Sequence, residues 1–363
     1  MKSNRLPIGL LAGSLLAATA AQAQVEINIS GAVAFRDTAY RSIRALYGAN
    51  LASQNPAAPA GSPEGSALKV TWTGTIPSLF GAQTVTIRAF YNGAVAGIQD
   101  LTQKRNVSFL ASSTPGDTNT VNLPSDVAFS SAFQQSTAFL TPTLEDARFG
   151  VTPIVLVKSK TAPAGLVNIN SQQLKTLAAN GQLPEWFFTG DSADTAPIYF
   201  INRDPTAGQR VVIFKDAIYT GNPTSYYWDT ANSKYIIDPT GRSAPQIQTH
   251  LNTYGPAISY LTTLDAFGVN GGANVLSYNG SLPFKGTFSG VANDYTPVIN
   301  GQYSLWVYEH LLNRSDASPN AKSFRNALIG AIDVQLQTSA FSIPISKVKV
   351  ERSSDGAPVA PIE

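Results

Sequence analysis

Gly150-Val151-Thr152-Pro153-Ile154-Val155-Leu156-Val157 is the most strongly apolar run of this chain beyond its first twenty-three residues. A run with so little polar character must be covered on both faces, which fits a central strand of an α/β protein. Pro153 cannot donate to a sheet ladder, so it marks a bend or a crossing between two lobes. A second apolar strand, Pro256 to Leu261, would make a return crossing.

Around these two runs, strands alternate with helices. Val25 to Ile29 alternates and is broken by Gly31. Asp37 or Thr38 can cap a helix in which Ala39, Ile43, Leu46 and Tyr47 share a face, and Gly48 stops it. Leu68 to Thr75, Thr84 to Tyr91, Asp126 to Ser130 and Pro197 to Asn202 are further strands. Ala94 to Ile98 opens a helix, Ser171 caps another that Gly181 ends, and Thr206 to Tyr219 forms a third. Gly301 to Leu312 and Ala321 to Leu336 are expected to be helical. Residues 49–66, 111–125 and 221–245 are rich in turn formers and are expected to be loops. This alternation predicts an α/β fold with largely parallel sheets, whose ligands bind where strands turn into helices.

The N-terminus has the pattern of a secretion signal. Lys2 and Arg5 precede an apolar stretch, Ile8 to Ala20, and Ala21-Gln22-Ala23 fits the small-x-small cleavage rule. A signal peptide of residues 1–23 and a mature start at Gln24 are therefore expected, with no membrane span in the mature chain. Removing residues 1–23 takes Lys2 and Arg5 from 25 basic residues and none of the 23 acidic ones, so the formal charge falls from +2 to zero. A neutral chain argues against nucleic-acid binding. The absence of cysteine excludes disulfides, thiolate metal sites and cysteine nucleophiles. His250 and His310 stand far apart, with no zinc-protease, nucleophile-elbow, Walker or dinucleotide motif around them, so no enzyme activity, cofactor or metal is expected.

Several segments, in order, resemble the ligand loops of type 2 periplasmic solute-binding proteins, in particular the phosphate-binding branch. They are Ser30 to Arg36, Tyr91 to Ile98, Val127 to Ser131, Phe149 to Lys158, Asn168 to Leu174 with Phe188-Thr189-Gly190, Arg203 to Arg210, Ile258 to Leu261, and Gly301 to Trp306. The resemblance implies a two-lobed fold, each lobe a mostly parallel sheet flanked by helices. Residues 25–153 and 260–345 would form lobe one, 154–259 lobe two, and 346–363 a C-terminal tail. It also implies a small anionic ligand in the cleft and an ABC importer permease as partner.

Phosphate-binding relatives use hydroxyls and N–H groups at helix starts, one arginine, and an aspartate that accepts a proton from the ligand. Carried over, the ligand loops here are Ala34 and Phe35, Ala94 and Val95, Ser130 and Ser131, and Arg203 with Ala207, Gly208 and Gln209. Alanines or valine stand for hydroxyl residues at 34, 94, 95 and 207. Ser131 stands for the aspartate and Gln209 for a threonine, while Arg203, Gly208 and Arg210 remain. Each missing bond to a charged ligand removes ~1.5–3 kcal/mol. Without the aspartate, a fully deprotonated anion such as sulfate or an organic acid meets no repulsion at Ser131.

Plainer roles compete at each place. Arg203 can simply pair with Asp204, Phe35 can be core, and the Gly93–Gly97 run can be close helix–strand packing. The aromatic group Tyr226, Tyr227, Trp228 and Tyr235 is expected to be a satellite apolar cluster rather than a sugar platform. Glu309-His310 is expected to be a surface or core pair, not a catalytic one. The leading expectation is an exported solute-binding protein. The alternative is a secreted or envelope structural or adhesion protein with a vestigial cleft.

Overall fold

The computed structural model describes residues 24–56 and 67–363; the expected signal peptide and part of the Ala/Pro/Gly-rich loop lie outside them. The chain opens with β1 (Val25–Gly31), whose five residues from Ile27 on are all buried. Then come α1 (Arg36–Tyr47), the edge strand β2 (Leu51–Asn55), β3 (Lys69–Thr75), the short α2 (Pro77–Phe80), β4 (Thr84–Phe90) and α3 (Ala94–Gln103). A hairpin of β5 (Asn106–Leu110) and β6 (Thr120–Pro124) follows, and β7 (Val127–Ser130) leads to the long β8 (Glu145–Lys158). Strand β1 lies between β4 and β7, parallel to both, and β3 and β2 extend the sheet antiparallel beyond β4.

The second half contains β9 (Asn168–Ile169), α4 (Ser171–Asn180), β10 (Gln182–Pro184), the short α5 (Trp186–Thr189), β11 (Pro197–Phe200) and α6 (Gly208–Asp216). A second hairpin, β12 (Tyr226–Asp229) and β13 (Lys234–Ile237), precedes α7 (Ala244–Thr253), β14 (Ala257–Thr262), α8 (Thr263–Phe267) and β15 (Val275–Tyr278). The chain continues through α9 (Thr296–Ile299), β16 (Trp306–Asn313), α10 (Pro319–Leu336) and β17 (Ile343–Pro344).

The apolar run around Pro153 is the backbone of the architecture. β8 is one 14-residue strand shared by two sheets. Its first part, Glu145 to Pro153, pairs antiparallel with β16; its last part, Ile154 to Lys158, pairs antiparallel with β14. Pro153 sits opposite Trp306 at the handover, and the next amide, Ile154, donates to Leu305 O at 2.9 Å. β14 is in turn parallel to β11, and β15 joins the other edge of β8. Each half therefore has parallel pairs at its heart and antiparallel additions, giving the two-lobed α/β architecture.

Two large cores match the two lobes. The first gathers Ile27, Ile29, Ile43, Trp72, Ile87, Phe129, Phe149, Phe324 and Leu328 between the β1 sheet and the pair α1 and α10. The second gathers Val155, Leu156, Leu174, Ile213, Ile247 and Tyr260. Leu276, Tyr278, Phe284, Tyr295, Val298 and Leu305 pack in this second core. The sequence-based division places 260–345 with lobe one; the second core takes in residues between Ala266 and Tyr308 and also Ile343.

Other local expectations are corrected. Residues 306–312 form a strand, not a helix, and every residue of β16 is buried. A run buried on all sides has no periodicity to separate strand from helix. The supposed loops 111–125 and 221–245 contain β6 and the β12–β13 hairpin, and residues 51–55 form β2. Helix α4 is capped by Asn170, through a reciprocal box with Gln173, rather than by Ser171. Helix α1 starts at Arg36, before either cap proposed for it.

A buried ion pair that the sequence gives no sign of joins the starts of two helices distant in the chain. Arg36 at the start of α1 places Nη2 3.1 Å from Asp265 Oδ1 on α8, with side chains 8% and 1% exposed. Arg36 Nη1 also donates to Val33 O, and Thr262 Oγ1 donates to Asp265 Oδ2. Removing one partner leaves a buried charge alone. Asp265→Ala is therefore expected to cost about 3–5 kcal/mol in urea unfolding, with Arg36→Met/Asp265→Leu recovering part of the loss. A cost for Asp265→Ala below 1 kcal/mol would contradict this role.

Candidate functional site

The carboxyl ends of β1, β4 and β7 are laced together. Gly31 N–H donates to Asn92 Oδ1 at 2.9 Å, Gly31 O accepts from Gly93 N, and Ala32 N–H donates to Phe129 O. Asn92 Nδ2 in turn donates to the buried Asp100, whose carboxyl is pushed up by burial. Gly31 has φ +117°, and a Cβ there would collide with Phe129 O. Gly97 fits because a Cβ would lie 2.7 Å from Gly31 Cα. The glycines around Ala94 thus serve close helix–strand packing, and they also bring the start of α3 to the strand ends.

From the other lobe, the segment after β11 reaches the same place. Thr206 O accepts from Val95 N–H at 3.0 Å, and Thr206 Oγ1 lies 3.4 Å from Asn92 O. Gly208, the first residue of α6, lies so near that a Cβ would come 2.5 Å from Ser131 Oγ and 2.9 Å from Ala94 Cβ. Between the lobes remains a cavity of about 230 Å³. One wall is Val33, Leu68, Phe90 to Ala94 and Ser131; the other is Arg203, Asp204, Thr206, Ala207, Gln209 and Ser243 to Pro245.

Of the residues expected from the sequence, Ala94, Ser131, Arg203, Ala207 and Gln209 line this cavity. Gly208 and Val95 stand at the seam beside it. Ser130 does not line it: its hydroxyl is engaged by the backbone of Ala132. Ala34 and Phe35 do not line it either. Phe35 is core, edge-on to Phe149 at 4.7 Å. Val33 takes the place on the wall. Asn92 and Thr206 fall within the loops the sequence pointed to but were not singled out, and the start of α7 was missed. Ser243 with Gln246 three residues later was the legible signal there, and the two side chains form the reciprocal capping box.

The electrostatics centre on Arg203. Its residue is 2% exposed, and its Nε and Nη1 have no hydrogen-bond partner. Asp204 Oδ2 stands 3.9 Å from Nη2, beyond hydrogen-bond reach. Asp204 instead accepts from the Thr206 amide at 3.0 Å and from its hydroxyl. Ser131, 1% exposed, also has a hydroxyl without partner. Helices α1, α3 and α6, which start at this edge, have no side-chain cap. Helices α4, α8 and α10 each have one, while the short α2, α5 and α9 have none. Uncapped starts leave N–H groups for an outside acceptor. A buried cation, a spare hydroxyl and uncapped helix starts can together hold an anion.

The other candidates resolve into packing. Tyr199 stacks on Tyr235 at 3.7 Å, Trp228 stacks on Tyr254, and Tyr235 OH bonds His250 Nε2. Burial brings His250 down to about 4. Glu309 and His310 are neighbours on a strand, so they point to opposite faces. His310 Nδ1 meets the Asp146 carboxylate at 2.9 Å, while Glu309 is fully buried near Thr152. Among the described residues no group of three or more His, Asp or Glu could hold a metal ion, and no helix is long and apolar enough to cross a membrane.

Burial pushes the Glu309 carboxyl well above its usual value of 4.5, and neither carboxyl oxygen has a hydrogen-bond partner. The folded state therefore holds a proton that the unfolded state releases. The resulting stability is fully present below the unfolded value and falls as pH rises from there towards the folded value. Glu309→Gln removes that slope. In urea melts the variant should gain on the native chain between pH 5 and pH 8, and a difference independent of pH would contradict the assignment.

No family model matches the chain. Phosphate-binding protein PstS of Bacillus subtilis is 25% identical over 194 residues, which cover 53% of this chain and 56% of that one. The chain thus spans about half the length of the curated relative it matches. A phosphate ABC transporter substrate-binding protein of Clostridium perfringens, solved with bound phosphate, superposes with a TM-score of 0.57. That likeness covers 88% of this chain and 99% of the other at 13% identity. The chain thus has the two-lobed α/β fold of that Clostridium perfringens substrate-binding protein.

Proposed function

We propose that this protein is an exported solute-binding protein that takes a small anion into the cleft between its lobes and delivers it to an ABC importer. The observation that carries the reading is Arg203: a buried guanidinium with two unpartnered nitrogens on the wall of an inter-lobe cavity. An always-charged group so placed calls for an anion. The fold shared with the Clostridium perfringens protein and the sequence match to the Bacillus subtilis protein support a receptor role, and neither favours the structural-protein alternative. The sequence pattern at Lys2 to Ala23 supports export to the periplasm or beyond. Ligand residues in this reading are Ser131, Arg203, Ala207 and Gln209 with the starts of α3 and α6.

Closure would follow from the topology. The lobes are joined through β8, through the segment after β14, and through the approach to β16, so a small rotation at these crossings opens the cleft. Thr206 O already occupies the Val95 N–H, one of the helix-start donors that the resemblance would assign to a ligand.

The departures at 94, 131, 207 and 209 predict weak capture of inorganic phosphate. Ser131→Asp, Ala207→Ser and Gln209→Thr together should tighten it at least tenfold, because each change restores a partner in the cleft. Titration calorimetry on both proteins reads this. Submicromolar phosphate binding by the native chain would show that Arg203 and backbone N–H groups suffice. Failure of phosphate, sulfate and simple carboxylates alike to stabilise the native chain would overturn the cleft as an anion site; a true ligand at a hundredfold excess over Kd adds about 2.7 kcal/mol.

A further inference from the structure

We infer that the cleft is built for an organic monocarboxylate with a small apolar body, not for an inorganic oxyanion; this rests on the anion-receptor reading above. Three features of the cavity carry it.

Charge comes first. Arg203 and Asp204 are the charged residues in the lining. Asp204 does not quench Arg203 through a hydrogen bond, but it puts a negative charge 3.9 Å from the guanidinium. A monoanion gains from Arg203 with limited repulsion, whereas a dianion meets Asp204 with its second charge. Ser131 offers a hydroxyl and no carboxylate, so Asp204 is the one carboxylate of the lining that can take up a proton from a hydrogen phosphate. Asp204 already accepts from Thr206 on Oδ1.

Donor supply comes second. Asn92 is engaged with Gly31 and Asp100, Ser243 with Gln246, and the Val95 amide with Thr206 O. The side chains left to donate are Arg203, Ser131, Gln209 and the partnerless hydroxyl of Tyr91. The two oxygens of a carboxylate are satisfied by Arg203, Ser131 and the start of α6. A carboxylate needs only part of this set, whereas a tetrahedral anion needs Gln209 and Tyr91 to converge on it as well.

Space and wall come third. The cavity of about 230 Å³ equals roughly eight waters at ~30 Å³ each, more than a five-atom oxyanion requires. The surplus is walled by Val33, Leu68, Phe90, Ala94 and Pro245. An apolar wall gives affinity to carbon and none to oxygen. The carboxylate therefore sits at Arg203, and its apolar substituent lies towards Leu68 and Phe90.

Calorimetric titration of the full mature chain with acetate, butyrate, benzoate, inorganic phosphate and sulfate tests this. Butyrate or benzoate should bind at least tenfold tighter than acetate, phosphate and sulfate. Arg203→Gln should weaken the tightest carboxylate at least tenfold, and Ser131→Ala severalfold, with thermal melts reporting that both variants fold. Leu68→Ala should weaken butyrate or benzoate and leave acetate unchanged. Phosphate or sulfate binding tighter than every carboxylate would overturn the inference and leave the anion receptor standing, as would acetate equal to benzoate. No binding by any of the five, or indifference to Arg203→Gln, would overturn the receptor reading and this inference with it.

Discussion

A guanidinium cannot shed its proton, and taking it out of water costs several kcal/mol unless something replaces the lost hydration. Arg203 is out of water, and two of its nitrogens have no partner. Arg88 and Arg352 also have Nε and Nη1 without partners; what sets Arg203 apart is its place in the lining of the inter-lobe cavity. The strand ends, the uncapped starts of α3 and α6, and the spare hydroxyl of Ser131 all surround it. Had Arg203 formed a close pair with Asp204, the cleft would read as a seam between two lobes and nothing more. At 3.9 Å the pair is too long for a hydrogen bond, and Asp204 is held by Thr206 instead.

The rest of the fold serves to bring that residue to its place. β8 carries both sheets on one strand, and the ion pair between Arg36 and Asp265 fixes the first strand–helix turn against the segment beyond the return crossing. Glycine at 31, 93 and 97 lets three backbones meet without side chains between them. Gly208 does the same across the lobes. These contacts are steric requirements that a side chain at any of the four positions would break.

Those steric requirements explain part of what was legible. The crossing strand was visible because its apolar run and Pro153 have no other comfortable reading, and the strand–turn–helix units were visible through their glycines. β16 was misread because Trp306 to Asn313 is buried on every side and shows no alternation. The ion pair joins residues 229 positions apart, and nothing local announces it. In the site, Arg203, Ser131 and Ala207 came from matching loops to a resemblance, and they do line the cavity. Ala34 and Phe35 came the same way but face the core, because the first loop here presents Val33 instead. The apolar wall of Leu68, Phe90 and Pro245 could not be foreseen, since it is assembled from three separate segments of two lobes.

The central claim is that Arg203 is a buried charge waiting for a ligand, not half of a structural pair. Urea unfolding of Arg203→Gln in anion-poor buffer tests it most directly. The account predicts that the ligand-free variant is as stable as the native chain or more so, because an uncompensated charge has been removed. A loss of about 3–5 kcal/mol, the usual cost of breaking a buried ion pair, would contradict it and return Arg203 to the architecture.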